Sequence, residues 1–67
     1  MTIRDMCCAG IEIQGPVRVV RWIGDECKVY FDDFAERIGD QNFLDMELAF
    51  MFSVDGKLVF EIEPEDE

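Results

Sequence analysis

The sequence predicts a small α+β domain, in which a twisted antiparallel sheet of four to five strands carries one or two short helices. Three observations predict this class. A run near the N-terminus has helical spacing, the residues after it alternate with a period of two, and glycine-containing turns separate the segments. Sixty-seven residues, 49% of them apolar, suit one domain that spans residues 1–67.

The first element is a helix predicted over residues 3–9. Thr2 is a favourable N-cap, and an aspartate three residues later can complete a capping box. Ile3, Met6 and Cys7 follow i, i+3, i+4 spacing, so we expect them to share the buried face.

Two strands are predicted over residues 17–23 and 27–31, on either side of Gly24-Asp25-Glu26. Pairing Ile23 with Cys27 sets the register of this central hairpin. The other pairs are then Arg21 with Val29, Val19 with Phe31, Trp22 with Lys28, Val20 with Tyr30, and Arg18 with Asp32. A shift of one residue would oppose two cations, which disfavours it.

Two weaker elements complete the first half of the chain. Residues 11–14 alternate apolar and polar side chains and would form the fifth strand. Residues 32–39 are predicted to form one or two helical turns, because two aspartates begin the segment and Gly39 ends it.

The last hairpin is predicted over residues 48–62. A two-residue Asp55-Gly56 turn would divide the large apolar side chains between the two faces of the sheet. A three-residue loop, 54–56 with Gly56 left-handed, would place them all on one face, so the hydrophobic effect favours the longer loop. The predicted pairs are Phe52 with Leu58, Phe50 with Phe60, and Leu48 with Ile62. Short helices would cover this face incompletely, which predicts a homodimer or higher oligomer.

Composition argues against several classes of function. The chain has no histidine and no phosphate-cradling glycine loop, so we expect no catalytic residues and no enzymatic activity. Cys7, Cys8 and Cys27 match no zinc spacing, which predicts free thiols, no metal site and no cofactor. Neither a leader peptide nor a membrane-spanning run is recognisable, so we expect a cytoplasmic protein without a membrane partner.

Charge is the strongest functional signal. Sixteen carboxylates against six basic side chains give a net charge of −10, which repels nucleic-acid phosphates and attracts basic protein surfaces. Two residues along a strand span about 6.7 Å, close to two steps of about 3.4 Å between phosphates on one DNA strand. The glutamates at 61 and 63 have this spacing, and the predicted register of the last hairpin places Glu47 opposite Glu63. The predicted acidic binding surface consists of Glu47, Glu61, Glu63, Glu65, Asp66 and Glu67.

The central hairpin is the local exception to this acidity. It holds a basic and aromatic group of the kind that contacts nucleic acid, namely Arg18, Arg21, Trp22 and Lys28. Two alternatives therefore stand beside an acidic binding protein. One is a small oligomeric DNA-contacting protein that uses this group, and the other is a plain homo-oligomeric regulatory module.

Two stretches carry a resemblance to a known group of proteins. They are Thr2-Ile3-Arg4-Asp5-Met6 followed by Ala9-Gly10-Ile11-Glu12-Ile13-Gln14-Gly15, and Leu44-Asp45-Met46-Glu47-Leu48. Both resemble small acidic proteins of phage and conjugative elements in gut Firmicutes. Such elements encode anti-CRISPR and other anti-defence inhibitors, several of which imitate DNA. The resemblance implies an inhibitor in the bacterial host cell whose partner is a basic nucleic-acid-binding protein, and it identifies no functional residue.

Overall fold

The computed structural model describes residues 1–65 as one four-stranded mixed sheet with short helical segments on one side. The elements are helix α1 (Ile3–Cys8), strands β1 (Pro16–Ile23) and β2 (Glu26–Phe34), 3-10 turns at Ala35–Arg37 and Asn42–Asp45, and strands β3 (Leu48–Val54) and β4 (Lys57–Glu65). The predicted α+β class is confirmed. Among these residues there is no fifth strand, and no helix is long and apolar enough to cross a membrane.

The strand order is β2-β1-β4-β3. An entirely antiparallel sheet was predicted, but the observed sheet is mixed. Each hairpin is antiparallel, but β1 and β4 join the two hairpins as parallel neighbours. The reason lies in burial. Strands β1 and β4 hold all the buried residues of the sheet within residues 1–65, and a central strand is shielded by a neighbouring strand at each of its two edges. The buried sheet residues are Val17, Val19, Val20, Val59, Phe60 and Ile62.

Helix α1 begins at the predicted capping box. The Asp5 backbone N–H donates to the Thr2 hydroxyl at 3.0 Å, and the Thr2 N–H donates to the Asp5 carboxylate at 3.1 Å. Ile3 and Met6 are buried as expected, whereas Cys7 is exposed, which corrects its predicted place on the buried face. A six-residue helix makes fewer than two turns, so it buries only a narrow stripe.

The central hairpin has a tighter turn than predicted. Ile23 pairs with Glu26 instead of Cys27, and Gly24 supplies the positive φ of 60° that a two-residue turn requires. A register shift between Val19 and Val20 then absorbs one residue. The observed pairs near the turn are Trp22 with Cys27, Arg21 with Lys28, and Val20 with Val29. Beyond the shift, Val19 pairs with Phe31 and Arg18 with Asp32, as predicted.

This irregularity has a clear packing consequence. Tyr30 and Phe31 are consecutive, and in a regular strand they would point to opposite faces. Instead both rings reach Phe43, with centroid distances of 6.4 and 6.1 Å. The irregular register therefore places two aromatic rings on the core side of an edge strand.

The segment after the hairpin is less helical than predicted for residues 32–39. Strand β2 continues to Phe34, and only Ala35–Arg37 forms a 3-10 turn. The Ala35 N–H donates to the carbonyl oxygen of Gly15 at 2.8 Å, which prolongs the pairing of the two strands. The extended backbone wins because it satisfies a main-chain donor against a neighbouring segment.

The last hairpin also closes through two residues, so the three-residue loop is wrong. Asp55 and Gly56 both have positive φ, 51° and 76°, the conformation whose twist matches the flanking strands. Phe52 consequently pairs with Val59. Phe50 pairs with Glu61, and a register shift between Leu48 and Phe50 restores the predicted pairing of Leu48 with Ile62.

The core lies on one side of the sheet. Ile3, Met6 and Phe43 pack from the helical layer against the sheet residues Val17, Val19, Phe60 and Ile62. We call the opposite side, which none of the described helical segments covers, the open face. By the alternation of the strands it carries Arg18, Val20, Trp22, Cys27, Val29, Asp32, Phe34, Phe50, Phe52, Val54, Lys57, Val59 and Glu61. The predicted single apolar face of the last hairpin is thus divided between the core and the open face.

Candidate functional site

One end of the open face, next to the Asp55-Gly56 turn, holds an ion-pair group built from three strands. Asp32 of β2 accepts from Arg18 of β1 at 3.1 Å and from Lys57 of β4 at 2.7 Å. The hydrogen bond from Lys57, followed by that from Arg18, holds the pKa of the Asp32 carboxyl below its ordinary value. Both cations are therefore already directed toward an anion of the same chain.

Most of the other basic side chains are paired as well. The further pairs are Arg4 with Asp40 and Asp45, Arg37 with Asp33, and Arg21 with Glu65. The remaining one, Lys28, lies 5.9 Å from the centre of the Tyr30 ring, and no carboxylate of residues 1–65 is within 4.0 Å of it. At five of the six basic side chains, a nucleic-acid phosphate could therefore bind only by displacing a carboxylate of the protein.

The predicted basic and aromatic group does not form one patch. Arg18 and Trp22 lie on the open face, while Arg21 and Lys28, paired across β1 and β2, lie on the other side. Arg21 is further committed by a hydrogen bond of 3.0 Å from its Nε to the carbonyl oxygen of Glu63. Of these four residues, the structure brings only Arg21 and Lys28 together as neighbours.

The predicted acidic surface is placed mainly at one end of the sheet. Glu61 lies on the open face, between Val20 of β1 and Phe50 of β3. Glu63 follows two residues later, and its N–H donates to the carbonyl oxygen of Glu47 at 2.9 Å, so these two glutamates are neighbours across the hairpin as predicted. We call Glu47, Glu61 and Glu63 the acidic end.

The three members of the acidic end differ in their partners. The Glu47 carboxylate accepts from the amino group of Met1, and this hydrogen bond raises the pKa of that amine. Neither Glu61 nor Glu63 has a cation within 4.0 Å among the described residues. Two unneutralised carboxylates on adjacent outward positions of one strand are therefore available to an external cation.

Glu65, the next of the predicted acidic residues, is not part of this end. A register shift in the β1–β4 pair, between Arg21 and Ile23, brings Glu65 opposite Ile23. The Glu65 carboxylate then lies 3.8 Å from the Arg21 guanidinium. Asp66 and Glu67 lie outside the described residues. Glu65 therefore does not extend the acidic end.

Several carboxylates that the sequence did not single out also lack a cation within 4.0 Å among residues 1–65. They are Glu12, Asp25, Glu26, Glu36 and Asp55. They are distributed over turns and loops, so they add to the overall negative potential without forming a second array.

The apolar part of the open face lies elsewhere than the sequence predicted. Phe50 and Phe52 were expected to share one incompletely covered face with Phe60, but they lie on the opposite face and are exposed, as are Trp22 and Val29. The Asp55-Gly56 dipeptide, typical of a two-residue turn with both residues at positive φ, is the signal that could have found them. The length of such a turn determines on which face of the sheet each flanking side chain lies.

The cysteines and carboxylates form no ligand set within the described part of the chain. Cys7, Cys8 and Cys27 are exposed free thiols, and no group of three or more Cys, Asp or Glu side chains there is placed to hold a metal ion. The surface of residues 1–65 thus offers two distinctive features, the acidic end and the apolar open face. No family model, no curated protein and no solved structure matches this chain.

Proposed function

We propose that the protein is a non-enzymatic binding protein that inhibits a basic nucleic-acid-binding protein of a bacterial host. Its acidic end would occupy the place of DNA phosphates on that partner. The observation that carries the proposal is the state of the charges: Glu61 and Glu63 have no cation partner among residues 1–65, whereas five of the six basic side chains are already paired. An external cation is therefore attracted and an external phosphate repelled.

Local geometry supports the acidic end as the contact. Glu61 and Glu63 are held by β4, a strand paired on both sides, so their main-chain positions are rigid. Their separation of about 6.7 Å along the strand is near two phosphate steps. A preorganised array loses little conformational entropy on binding, which favours recognition by a similarly rigid set of arginine and lysine side chains.

The resemblance to proteins of phage and conjugative elements supplies the biological setting of the proposal, an anti-CRISPR or other anti-defence inhibitor in the host cytoplasm. The alternative of direct DNA contact is disfavoured by the division of Arg18, Trp22, Arg21 and Lys28 between two faces. It remains an explicit outcome of the experiment below.

The test is capture of partners from a bacterial host lysate by the immobilised protein, with and without nuclease treatment. Purified candidates are then assayed for loss of DNA binding when the protein is added. The variant Glu61→Lys with Glu63→Lys should abolish capture. The variant Glu12→Lys with Glu36→Lys changes the net charge by the same amount elsewhere, so it should retain capture.

Two further measurements separate the alternatives. Binding to a basic partner should weaken by about tenfold or more when salt rises from about 0.05 to 0.3 M, because exposed charges are screened within about 10 Å at 0.1 M. The isolated protein should not retard duplex DNA in a gel. Retardation that is lost in Arg18→Ala and unaffected by the glutamate reversals would overturn the proposal in favour of DNA contact.

A further inference from the structure

The two edge strands of the sheet are unequally protected. An exposed strand edge presents unpaired N–H and C=O groups, and proteins normally guard it with charges, bulges or a covering segment. Strand β2 has such protection, because it contains a register irregularity and the charged residues Glu26, Lys28, Asp32 and Asp33. Strand β3, with the sequence Leu-Ala-Phe-Met-Phe-Ser-Val, carries neither charge nor proline.

Only the beginning of the β3 edge is covered within the described residues. The Leu48 N–H donates to the carbonyl oxygen of Met1 at 2.9 Å, and the register shift of this strand also lies here, between Leu48 and Phe50. The remaining edge, residues 50–54, continues to the turn without a further register shift. Its side chains are exposed, with exposed fractions of 64% for Phe50, 56% for Met51, 43% for Phe52 and 48% for Val54.

The direction of the unpaired donors follows from the turn. In a two-residue hairpin the closing pair, here Val54 with Lys57, is hydrogen-bonded, and hydrogen-bonded and non-hydrogen-bonded pairs alternate from it. Ser53 with Leu58 and Met51 with Phe60 are therefore non-hydrogen-bonded pairs. The N–H and C=O groups of Met51 and Ser53 point away from β4, toward a strand that could be added.

We propose that β3 of a second copy of this chain occupies this edge, so that two sheets join into one of eight strands. Two-fold symmetry requires the two β3 strands to run antiparallel. Centring the two-fold axis on Phe52 uses all the outward groups, since Met51 of each protomer then pairs with Ser53 of the other. On the open face, Phe52 meets its own copy and Phe50 meets Val54 of the other protomer.

Charge selects β3, and not β2, as the edge at which two copies can meet. Two chains of net charge −10 repel, and β3 is the strand along which they can approach without opposing any charged side chain. The acidic ends stay outside the contact, because they lie on β4 and at the start of β3. Joined β3 strands would separate the two β4 strands by about 14 Å, three strand spacings.

The area is sufficient for a reversible dimer. A fully exposed aromatic or long apolar side chain has about 150–250 Å² of surface, so the fractions above correspond to about 400 Å² of apolar side chain in each protomer. Complete burial of this surface, together with the main chain of both protomers, would remove at most about 1,000 Å² from solvent, which is the lower limit for a specific interface. We therefore expect dissociation in the micromolar range.

Light scattering on the eluting protein, from about 5 to 500 µM, measures the association. Ser53→Pro removes one outward donor from each protomer and should weaken the dimer by about 10- to 100-fold. Cys27→Pro is the matched control, because Cys27 lies next to the closing pair of the other hairpin, on the edge strand β2. It should leave the dimer unchanged, and circular dichroism verifies the fold of both variants.

A cross-linking experiment tests the contact without proline. With Cys7, Cys8 and Cys27 changed to Ser, Phe52→Cys should form a disulfide between protomers under mild oxidation. Directly opposed residues of a non-hydrogen-bonded antiparallel pair have Cα atoms about 4.5 Å apart, within disulfide range. Met51→Cys, whose opposite residue is Ser53, should cross-link far less.

Three results would overturn the inference. One is a monomer throughout the concentration range, and another is a dimer that survives Ser53→Pro but is lost on Trp22→Lys, which would mean contact through the open face. The third is efficient cross-linking of Met51→Cys with none of Phe52→Cys. The inference does not depend on the proposed function, since association is measured with the purified protein alone.

Discussion

Lys57 of β4 donates to Asp32 of β2 across the whole width of the intervening strand β1, with 2.7 Å between Nζ and Oδ1. Arg18 of β1 lies between them and shares the same carboxylate at 3.1 Å. The group ties an edge strand to the two central strands on the face of the sheet that lacks a helical layer. Its Asp32 carboxylate is the acceptor on which both contacts depend.

The first prediction concerns the pH dependence of this group. The pKa of Asp32 is lowered in the folded protein, so its contribution is present above the unfolded pKa of about 4 and is lost as pH falls through the folded value. Asp32→Asn should therefore lower the urea midpoint of unfolding at pH 7. The difference from the wild type should shrink toward pH 2.

Asp25→Asn is the matched control for this experiment, because Asp25 has no cation within 4.0 Å among residues 1–65. It should leave the urea midpoint nearly unchanged at both pH values. A difference between wild type and Asp32→Asn that is equally large at pH 2 would contradict the ion-pair explanation.

The second prediction separates the two faces of the last hairpin. Phe60 is fully buried, so Phe60→Ala should cost about 3–5 kcal/mol, most of the stability expected for a domain of this length. Phe50→Ala, on the open face, should change the stability of the dilute monomer by about 0.5 kcal/mol or less. Denaturant unfolding followed by circular dichroism measures both, and equal losses would mean that the two rings share one face.

The third prediction tests the turn of the last hairpin. Gly56 has a φ of 76°, so Gly56→Ala should destabilise the fold by about 1–2 kcal/mol. Gly39 is the matched control, because its φ is not positive and no atom lies within 4 Å of a methyl group placed there. Gly39→Ala should be neutral or stabilising by up to about 1 kcal/mol. Thermal unfolding of both variants decides the point, and equal losses would argue against the two-residue turn.

The fourth prediction concerns the thiols. All three cysteines are exposed, so changing Cys7, Cys8 and Cys27 together to Ser should alter the unfolding free energy by about 1 kcal/mol or less. Partner binding should also be retained. Stoichiometric zinc found by elemental analysis of the wild type, and absent from the triple variant, would show that the cysteines have a role as metal ligands.

Local sequence determined several elements of this protein. The capping box of α1 depends on Thr2 and Asp5, which are three residues apart, and the glycines at 24 and 56 mark the two tight turns. The neighbourhood of Glu47 and Glu63, together with the pairing of Arg18 with Asp32, was also predictable from the sequence. Each of these features depends on hydrogen bonds or steric preferences within one hairpin or one helical turn.

The candidate site was predictable only in part for the same reason. The alternation of β4 places Glu61 and Glu63 on one side, and that follows from the sequence alone. The pairing of Glu65 with Arg21 depends on the register between β1 and β4. These strands are distant along the chain, since Arg21 and Glu63, which are hydrogen-bonded across them, are 42 residues apart. No local pattern encodes that register, so the length of the acidic array could not be read in advance.

The tertiary structure alone decided which strands became central and which side of each hairpin is buried. Parallel pairing of β1 with β4 follows from burying Val19 and Phe60 against the same helical layer, a contact between distant segments. The irregular registers near Val20 and Phe50 each absorb one residue, so tight turns coexist with the pairing required at the far ends of the strands. The sequence alone determined the charge, the capping box and the positions of the two hairpins, whereas the balance between turn geometry and core packing decided the lengths of the turns, the registers and the faces.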